Sequence, residues 1–263
     1  MRLREQILTK NDCYKSGCKI QVKGVMVHST GANNPWVARY VPGDHKMGYN
    51  TGGTHWDRPG IDKCVHAFVG KFEDGAVGTV RTLPWNHRGW HAGKGTQGSA
   101  NNTHIGFEIC EDGLDDPVYF QAAYGEAVEL TAMLCREYKL NPLADGVVIC
   151  HAEGHKRGIA SNHGDVLHWF PRFGKDMDTF RADVARELEG DSDMTQEQFD
   201  RMMDDYLARR ARLPASGWAK PFIQTAIGAG VMSENSAGTI DRPQAAVSRE
   251  ELAVVAAAIL GKM

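Results

Sequence analysis

Two histidines stand at the carboxyl ends of short runs of β-branched residues. His28 follows the run at 25–27, and His151 follows the run at 147–150. Such runs predict β-strands, and the end of a strand holds a side chain rigidly at the edge of a sheet. Zinc sites that catalyse hydrolysis commonly combine three protein ligands with one open position. We therefore predict that His28 and His151 bind one metal ion together.

The third ligand of this metal site is expected from the segment that follows His151. The side chains there that could bind a metal are His155, His163, Asp165, His168, Asp176 and Asp178. Because zinc accepts either an imidazole or a carboxylate, the spacing of these residues alone does not choose among them.

Strands and helices alternate in the part of the chain that must position these ligands. Strand-like runs occupy residues 23–28, 63–70, 76–80, 104–110 and 146–150. Asp74 and Gly75 predict a hairpin turn between the second and third runs. Apolar residues recur with the helical period over 119–138 and 178–188. This order predicts an α/β fold in which helices flank a central mixed β-sheet.

The composition changes near residue 190, and this change predicts three parts. Residues 1–190 contain the predicted sheet and the metal ligands, and they form the expected catalytic domain. Residues 191–214 are polar and favour a helix, which is typical of a helical linker. Residues 215–263 are expected to form a small α-helical module of two short helices, the second beginning at 248–251.

The charge and hydropathy of the chain argue against several classes of function. The 263 residues carry a net charge of −3, so no overall basic field favours nucleic acid as a partner. No apolar run approaches the roughly 20 residues that span a bilayer, and we expect no membrane insertion. The first 15 residues lack the apolar segment of a secretory signal. We therefore expect synthesis in the cytoplasm without a signal peptide.

Four motifs occur in a fixed order along the chain. They are His28-Ser-Thr, Trp90-His-Ala-Gly, the segment 102–108 that ends in Glu108, and the run that ends in His151. Together they resemble the type 2 N-acetylmuramoyl-L-alanine amidases, which are related to peptidoglycan recognition proteins and to bacteriophage endolysin amidases. The resemblance covers roughly residues 20–185, and it implies the mixed sheet and flanking helices of that family.

The resemblance also implies the metal and its ligands. Members of the family bind zinc through two histidines and a cysteine or aspartate, and a lysine often precedes the last ligand by two residues. Here the matching segment reads His163-Gly-Asp165, so His163 replaces the lysine and Asp165 is the expected ligand beside His28 and His151. The pair Lys175-Asp176 is the alternative source of the third ligand.

The family resemblance gives Glu108 and His163 proton-transfer and charge-stabilising roles. Zinc would polarise the carbonyl of the amide and activate water, and Glu108 would take a proton from that water. His163 would stabilise the oxyanion or protonate the leaving amine. The expected reaction is hydrolysis of the peptidoglycan amide between the lactyl group of N-acetylmuramic acid and L-alanine.

Four further residues are expected to contact the peptidoglycan substrate. Trp90 and His91 lie in a motif that resembles the edge of the family's binding groove, although a structural role for His91 is an equal alternative. His66 lies on a strand that could border the groove, with a core histidine as the alternative. Tyr49 lies in a glycine-rich loop that either lines the cleft or only turns the chain.

The tail resembles a single S-layer homology repeat through Trp218 and the segments 227–231 and 247–253. Such repeats often bind secondary cell-wall polymers, which is one expectation; formation of a homo-oligomer is the other. The combination implies a phage or prophage endolysin that a holin-type pore releases to the cell wall. The alternatives are a peptidoglycan-binding protein without catalysis and a cytoplasmic amidase that recycles muropeptides.

Overall fold

The computed structural model of the protein describes residues 1–190, 196–236, 240–241, 243–245, 252–253 and 255–257. The chain divides into two compact units, Met1–Ser192 and Asp193–Met263. No helix in the described ranges combines the length and the apolar character that crossing a bilayer requires.

The strands of the first unit form a mixed sheet. Their bounds are β1 Leu3–Glu5, β2 Gly24–Ser29, β3 Gly43–Asp44, β4 Gly48–Tyr49, β5 Ala67–Lys71, β6 Val77–Arg81, β7 His104–Ile109 and β8 Val148–Cys150. Within the described residues, six of them form one sheet in the order β1-β6-β5-β7-β2-β8, and β3 pairs with β4. The pairing of β5 with β6 is antiparallel, whereas the other neighbours in the large sheet are parallel.

The helices of the first unit connect and cover these strands. They are α1 Asp12–Lys15, α2 Pro117–Tyr138, α3 His151–Lys156 and α4 Met177–Gly190. Helix α2 begins two residues before the predicted start, because Pro117 occupies its first turn and the Asp116 carboxylate accepts hydrogen bonds from two backbone N–H groups. It ends where Lys139 adopts a left-handed conformation.

The two faces of the sheet carry different side chains, because successive residues of a strand point to opposite faces. Val25 and Val27 of β2, with Ile105 and Phe107 of β7, belong to the same buried cluster as the apolar side of α2. The even-numbered residues of β2 and β7 therefore point away from α2. This second face carries the candidate site.

The predicted α/β architecture is confirmed by this sheet and its flanking helices. The run at 63–70 differs from its prediction, since regular pairing begins only at Ala67. Cys64 instead forms an isolated bridge with Trp90, which ties the loop carrying Trp90 to the sheet. The predicted hairpin turn is present between β5 and β6, with Gly75 at a φ of 80°.

The second unit is helical where it is described. Helix α5 spans Gln196–Ala211 and helix α6 spans Lys220–Gly228. Residues 252–253 and 255–257 are also helical. The predicted start of that last helix at 248–251 lies outside the described residues.

Candidate metal centre and active site

Strands β2 and β7 bring the first two site residues side by side. In their parallel register His28 is opposite Glu108, and Met26 is opposite Gly106. Because partners in a parallel register point to the same face, the imidazole and the carboxylate both leave the sheet on the side opposite α2. His28 is almost fully buried at that position.

His151 is placed by the junction between β8 and α3. The backbone N–H of Cys150 donates to a carboxylate oxygen of Glu153 at 3.1 Å, which closes the first turn of α3. Arg181 of α4 donates to both oxygens of Glu153 at 3.1 Å and to the carbonyl of Val148 at 2.9 Å. These hydrogen bonds fix the end of β8, so the imidazole of His151 leaves the first turn of α3 in a defined direction.

Asp165 is held in an uncommon backbone conformation. Its φ of 43° lies in the left-handed region, which only a few per cent of residues other than glycine adopt. It follows Gly164 and begins a short 3-10 helix, Asp165–His168. Strain of this kind concentrates at functional sites, and here it turns the carboxylate toward the two histidines.

Three atoms that can bind a metal converge at this point. The Nδ1 atom of His28 lies 2.9 Å from Oδ2 of Asp165 and 3.2 Å from Nδ1 of His151. The Nδ1 atom of His151 lies 3.2 Å from the same carboxylate oxygen. Ligands at 2.0–2.1 Å from a tetrahedral zinc ion lie about 3.3 Å apart. The donor set and its spacing therefore fit one face of a zinc tetrahedron.

The outer nitrogens of both histidines also have partners, which directs their inner nitrogens toward the centre. Nε2 of His28 lies 3.0 Å from Nδ1 of His91, and Nε2 of His151 lies 3.1 Å from Oγ of Ser161. When both Nε2 atoms donate, the Nδ1 atoms of His28 and His151 each carry a lone pair, and these lone pairs face each other and the Asp165 carboxylate. That arrangement is repulsive unless a proton or a cation lies between the atoms, and a divalent cation satisfies all three.

The electrostatics of His28 and Asp165 favour the protonation states that a metal requires. Burial is the largest effect on His28 and lowers the pKa of its imidazole below the usual 6.5, although the Asp165 carboxylate acts in the opposite direction. Burial would raise the pKa of Asp165, but its contacts with His151 and His28 outweigh that effect and hold the pKa well below its usual 3.8. A neutral imidazole and an ionised carboxylate are the forms that bind metal.

Glu108 lies beside this centre without being one of the converging groups. One of its carboxylate oxygens, Oε2, is buried and has no hydrogen-bond partner among the residues that the structure describes. Burial raises the pKa of Glu108 well above its usual 4.5, and the nearby carboxylates of Asp165 and Glu111 act in the same direction. A carboxyl group with a raised pKa and an oxygen that faces a cleft is suited to accept and return a proton.

The cleft above these groups has a volume of about 580 Å³. It is lined by His28, Ser29, Thr30, Gly31, Trp90, His91, Gly93, Glu108, His151, Ser161, His163, Gly164, Asp165 and His168. His163 is exposed at its edge, and Nδ1 of its ring lies 3.1 Å from Oγ of Ser161. A ligand in the cleft could therefore reach His163, Glu108 and the metal-binding atoms together.

Two of the four predicted substrate contacts lie outside this cleft. His66 is completely buried, its Nε2 lies 2.8 Å from the carbonyl oxygen of His87, and its Nδ1 accepts from the Gly106 N–H at 3.0 Å. Both nitrogens are bonded inside the core, so His66 lies away from the cleft, as the alternative of a core histidine predicts. Tyr49 is 66% exposed on β4 and is not part of the cleft lining.

Trp90 and His91 do line the cleft. Trp90 is partly exposed, and the guanidinium of Arg88 lies 5.2 Å from the centre of its ring. His91 is different, since its ring nitrogens face His28 and the carbonyl of His104. Its ring is therefore directed into the protein as much as toward the cleft.

Four of the other candidates for the third ligand are engaged elsewhere. His155 lies 3.3 Å from the carbonyl oxygen of Ala160, and His168 pairs with Glu111 at 3.0 Å. Asp176 accepts hydrogen bonds from the N–H and hydroxyl groups of Thr179 at the start of α4. Asp178 pairs with Arg181, and Asp165 is the candidate whose carboxylate reaches both His28 and His151.

Three residues that support the site were not predicted from the sequence. Ser161 contacts His151, and the side-chain oxygen of Asn101 accepts from the N–H groups of His91 and Ala92 at 2.8 and 2.9 Å. Gly106 leaves room for the ring of His91, since a Cβ there would lie 2.3 Å from Nδ1 of His91. A glycine inside a strand often marks a place where another group approaches the backbone closely. Of these three residues, only Gly106 could therefore have been predicted from the sequence.

Comparison with known proteins identifies the family. The sequence model of the N-acetylmuramoyl-L-alanine amidase family matches residues 19–166, a range that contains all three converging residues. The chain belongs to this amidase family. A second family model, that of the S-layer homology domain, matches residues 214–253, so the predicted resemblance is confirmed for both parts of the chain.

Two curated amidases from Bacillus subtilis (strain 168) resemble part of this amidase chain. The N-acetylmuramoyl-L-alanine amidase XlyB is 40% identical over 58 residues, which cover 22% of this chain and 18% of XlyB. The N-acetylmuramoyl-L-alanine amidase CwlH is 44% identical over 55 residues, which cover 21% of each protein. The matched segment thus spans about a fifth of the length of each relative.

Solved structures share the fold of the amidase chain. The Staphylococcus aureus hydrolase AmiA superposes with a TM-score of 0.51 over 72% of this chain and 83% of AmiA, at 17% sequence identity. A mutant form of PlyL superposes with a TM-score of 0.50 over 70% of this chain and 98% of PlyL, at 18% identity. At these identities the similarity shows a shared fold.

Proposed function

We propose that this protein is a zinc-dependent N-acetylmuramoyl-L-alanine amidase that hydrolyses the bond between the lactyl group of N-acetylmuramic acid and L-alanine in peptidoglycan. One observation carries the proposal. The Nδ1 atoms of His28 and His151 and a carboxylate oxygen of Asp165 converge within 3.2 Å of one another in the open cleft, with the buried carboxylate of Glu108 beside them. Membership of the amidase family supports this substrate and this bond.

The residues of the cleft have separate tasks in this reaction. His28, His151 and Asp165 would hold zinc, which would supply Lewis-acid polarisation of the amide carbonyl and activation of water. Glu108, which lines the cleft, accepts a proton from the attacking water and returns it to the nitrogen of L-alanine. His163, at the exposed edge, donates a hydrogen bond to the oxyanion that forms on the carbonyl oxygen.

Identification of the products tests this activity. Purified full-length protein with zinc is incubated with peptidoglycan sacculi, and new amino termini and new reducing sugars are quantified separately. We expect new L-alanine amino termini without new reducing ends, and loss of the reaction when a chelator removes the metal. Reducing sugars without new amines would contradict the proposal, because they arise from cleavage of the glycan.

We further propose that the enzyme acts on intact cell wall as a phage or prophage endolysin. The S-layer homology match at 214–253 supports this, because a wall-binding module is useful only on an insoluble substrate. The experiment compares sacculi with soluble muropeptides at equal concentrations of the target bond. A preference for sacculi is expected, whereas a preference for small soluble muropeptides would favour a recycling enzyme.

The proposed partner of the tail is a secondary cell-wall polymer. Binding of full-length protein to sacculi is compared before and after acid extraction of these polymers, in the presence of a chelator that prevents hydrolysis. Weaker binding after extraction is expected. Equal binding to both preparations would leave peptidoglycan itself as the wall component that the protein recognises.

A further inference from the structure

A chain of contacts runs from the backbone of β7 through His91 to His28. Nε2 of His91 lies 3.2 Å from the carbonyl oxygen of His104, and Nδ1 of His91 lies 3.0 Å from Nε2 of His28. A carbonyl oxygen only accepts hydrogen bonds, so Nε2 of His91 carries the hydrogen. In the neutral ring Nδ1 is then an acceptor, and Nε2 of His28 must donate to it. The lone pair of His28 is left on Nδ1, the atom that faces Asp165 and His151.

The opposite arrangement produces unfavourable contacts. If the hydrogen of neutral His91 were on Nδ1, the lone pair on Nε2 would face the lone pairs of the His104 carbonyl oxygen. Nε2 of His28 would then have to accept, and its hydrogen would move to Nδ1, where it blocks a metal. With a cation between the three converging atoms, the contacts of His91 with the His104 carbonyl and with Nε2 of His28 are therefore both satisfied only when Nδ1 of His28 is free.

The protein holds the ring of His91 in this orientation from several sides. The side-chain oxygen of Asn101 accepts from the backbone N–H of His91 and of Ala92, which fixes the backbone on which the ring is carried. Gly106 supplies the space behind the ring, since a Cβ at this position would lie 2.3 Å from Nδ1 of His91. The ring edge is thus fitted into β7 next to the strand that carries His28.

We propose that His91 is a positioning residue for metal binding, which holds His28 in the tautomer whose free lone pair lies on Nδ1. This assignment replaces the substrate contact predicted for His91. It rests on the proposed function only in that His28 is taken as a metal ligand, and the tautomer is that of the protein with zinc bound. Groups that orient a metal-binding histidine in this way typically change metal affinity by ~10- to 100-fold when they are removed.

The first test measures the tautomers in the full-length wild-type protein. Histidine is labelled with nitrogen-15, the protein is loaded with zinc, and long-range proton–nitrogen correlation spectra are recorded with circular dichroism as a check of folding. We expect both His28 and His91 to carry hydrogen on Nε2. A hydrogen on Nδ1 of either neutral ring would overturn the proposal.

The second test uses two substitutions of similar size that differ in one acceptor atom. In His91→Asn the side-chain oxygen stands where Nδ1 stood and still accepts from His28, whereas His91→Leu has no acceptor. Zinc affinity is measured by competition with a chelator. We expect His91→Leu to bind zinc ~10- to 100-fold more weakly and His91→Asn to remain close to wild type.

The same two variants separate positioning from substrate binding. With zinc at saturation, the KM of His91→Leu for peptidoglycan fragments is expected to remain near that of wild type. A raised KM with unchanged zinc affinity would overturn the proposal and restore the substrate contact. Zinc affinity and tautomers are measured without substrate, so a protein that binds zinc as expected but cleaves no amide would refute the proposed function and leave this inference standing.

Discussion

His28 and Glu108 are opposite each other in the parallel register of β2 and β7, and both side chains leave the sheet on the face that α2 does not cover. The pair therefore places the proposed metal ligand and the proposed proton acceptor next to each other on two strands within one sheet. A strand pair is a rigid support, so the distance between these groups does not depend on a loop. Asp165, by contrast, reaches the same point from a short 3-10 turn.

Replacing Glu108 by glutamine should separate catalysis from metal binding. Glutamine keeps the size of the side chain but cannot take a proton from water, so kcat is expected to fall by ~10²- to 10⁴-fold. Zinc affinity should stay close to wild type, because Glu108 is not one of the three converging groups. Release of amino termini and chelator competition measure the two quantities, and a variant with wild-type kcat would refute the role of Glu108.

The stability of the metal-free protein should depend on pH through Glu108. Burial raises the folded-state pKa of this carboxyl above the usual 4.5, so the folded protein holds more protons than the unfolded chain between those two values. The contribution of Glu108 is therefore fully present below pH 4.5 and is lost as the pH rises through the folded-state pKa.

The measurement compares wild type with Glu108→Gln. The free energy of unfolding of both full-length proteins is determined by urea denaturation between pH 4 and pH 8, as a range of roughly this width brackets a raised carboxyl pKa. Wild type should lose stability relative to the variant as the pH increases. Two curves that stay parallel over the whole range would show that the pKa of Glu108 is not raised by folding.

Two aspartates distinguish the proposed third ligand from its alternative. Asp165→Ala removes one of three metal-binding groups and is expected to weaken zinc binding strongly, with loss of activity at limiting zinc. Asp176→Ala removes the acceptor for the N–H and hydroxyl of Thr179 at the start of α4, and should cost about 1 kcal/mol of stability with zinc affinity unchanged. Chelator competition on both variants is the measurement, and the reverse pattern would assign the ligand to Asp176.

A pair of glycine substitutions tests the packing of His91. Gly106→Ala places a Cβ 2.3 Å from Nδ1 of His91, and overpacking of this kind costs about 1–3 kcal/mol and should also weaken zinc binding. Gly125→Ala in α2 meets no atom within 4 Å and should stabilise the helix by about 0.5–1 kcal/mol. Thermal unfolding and zinc competition give both values. Wild-type zinc affinity in Gly106→Ala would show that the ring of His91 can move without weakening zinc binding.

The parts of the site that lie on strands could be predicted from the sequence, because each depends on local residues. The β-branched runs before His28 and His151 form β2 and β8, and the alternation in β7 places Glu108 on the same face as His28. The order of these strands in the sheet follows from long-range pairing. The spacing of residues along the sequence does not predict this strand order.

The errors and omissions concern side chains whose surroundings come from distant segments. His66 was expected at the groove, but the loop at 87 and β7 close over it and bond both of its nitrogens. Ser161 lies in an irregular segment, so no periodicity indicated that its hydroxyl would contact His151. His91 lines the cleft, and the direction of its ring depends on Gly106 and the His104 carbonyl.

We propose above all that this site hydrolyses the lactyl amide with the help of a metal bound by His28, His151 and Asp165. The most direct test is cleavage of a defined muramoyl peptide in oxygen-18 water, with metal-stripped and zinc-restored full-length protein and mass analysis of both products. The account predicts one labelled oxygen in the lactyl carboxylate, an unlabelled peptide that begins with L-alanine, and no cleavage until zinc is restored. Label at a sugar carbon, or equal cleavage by the stripped protein, would contradict it.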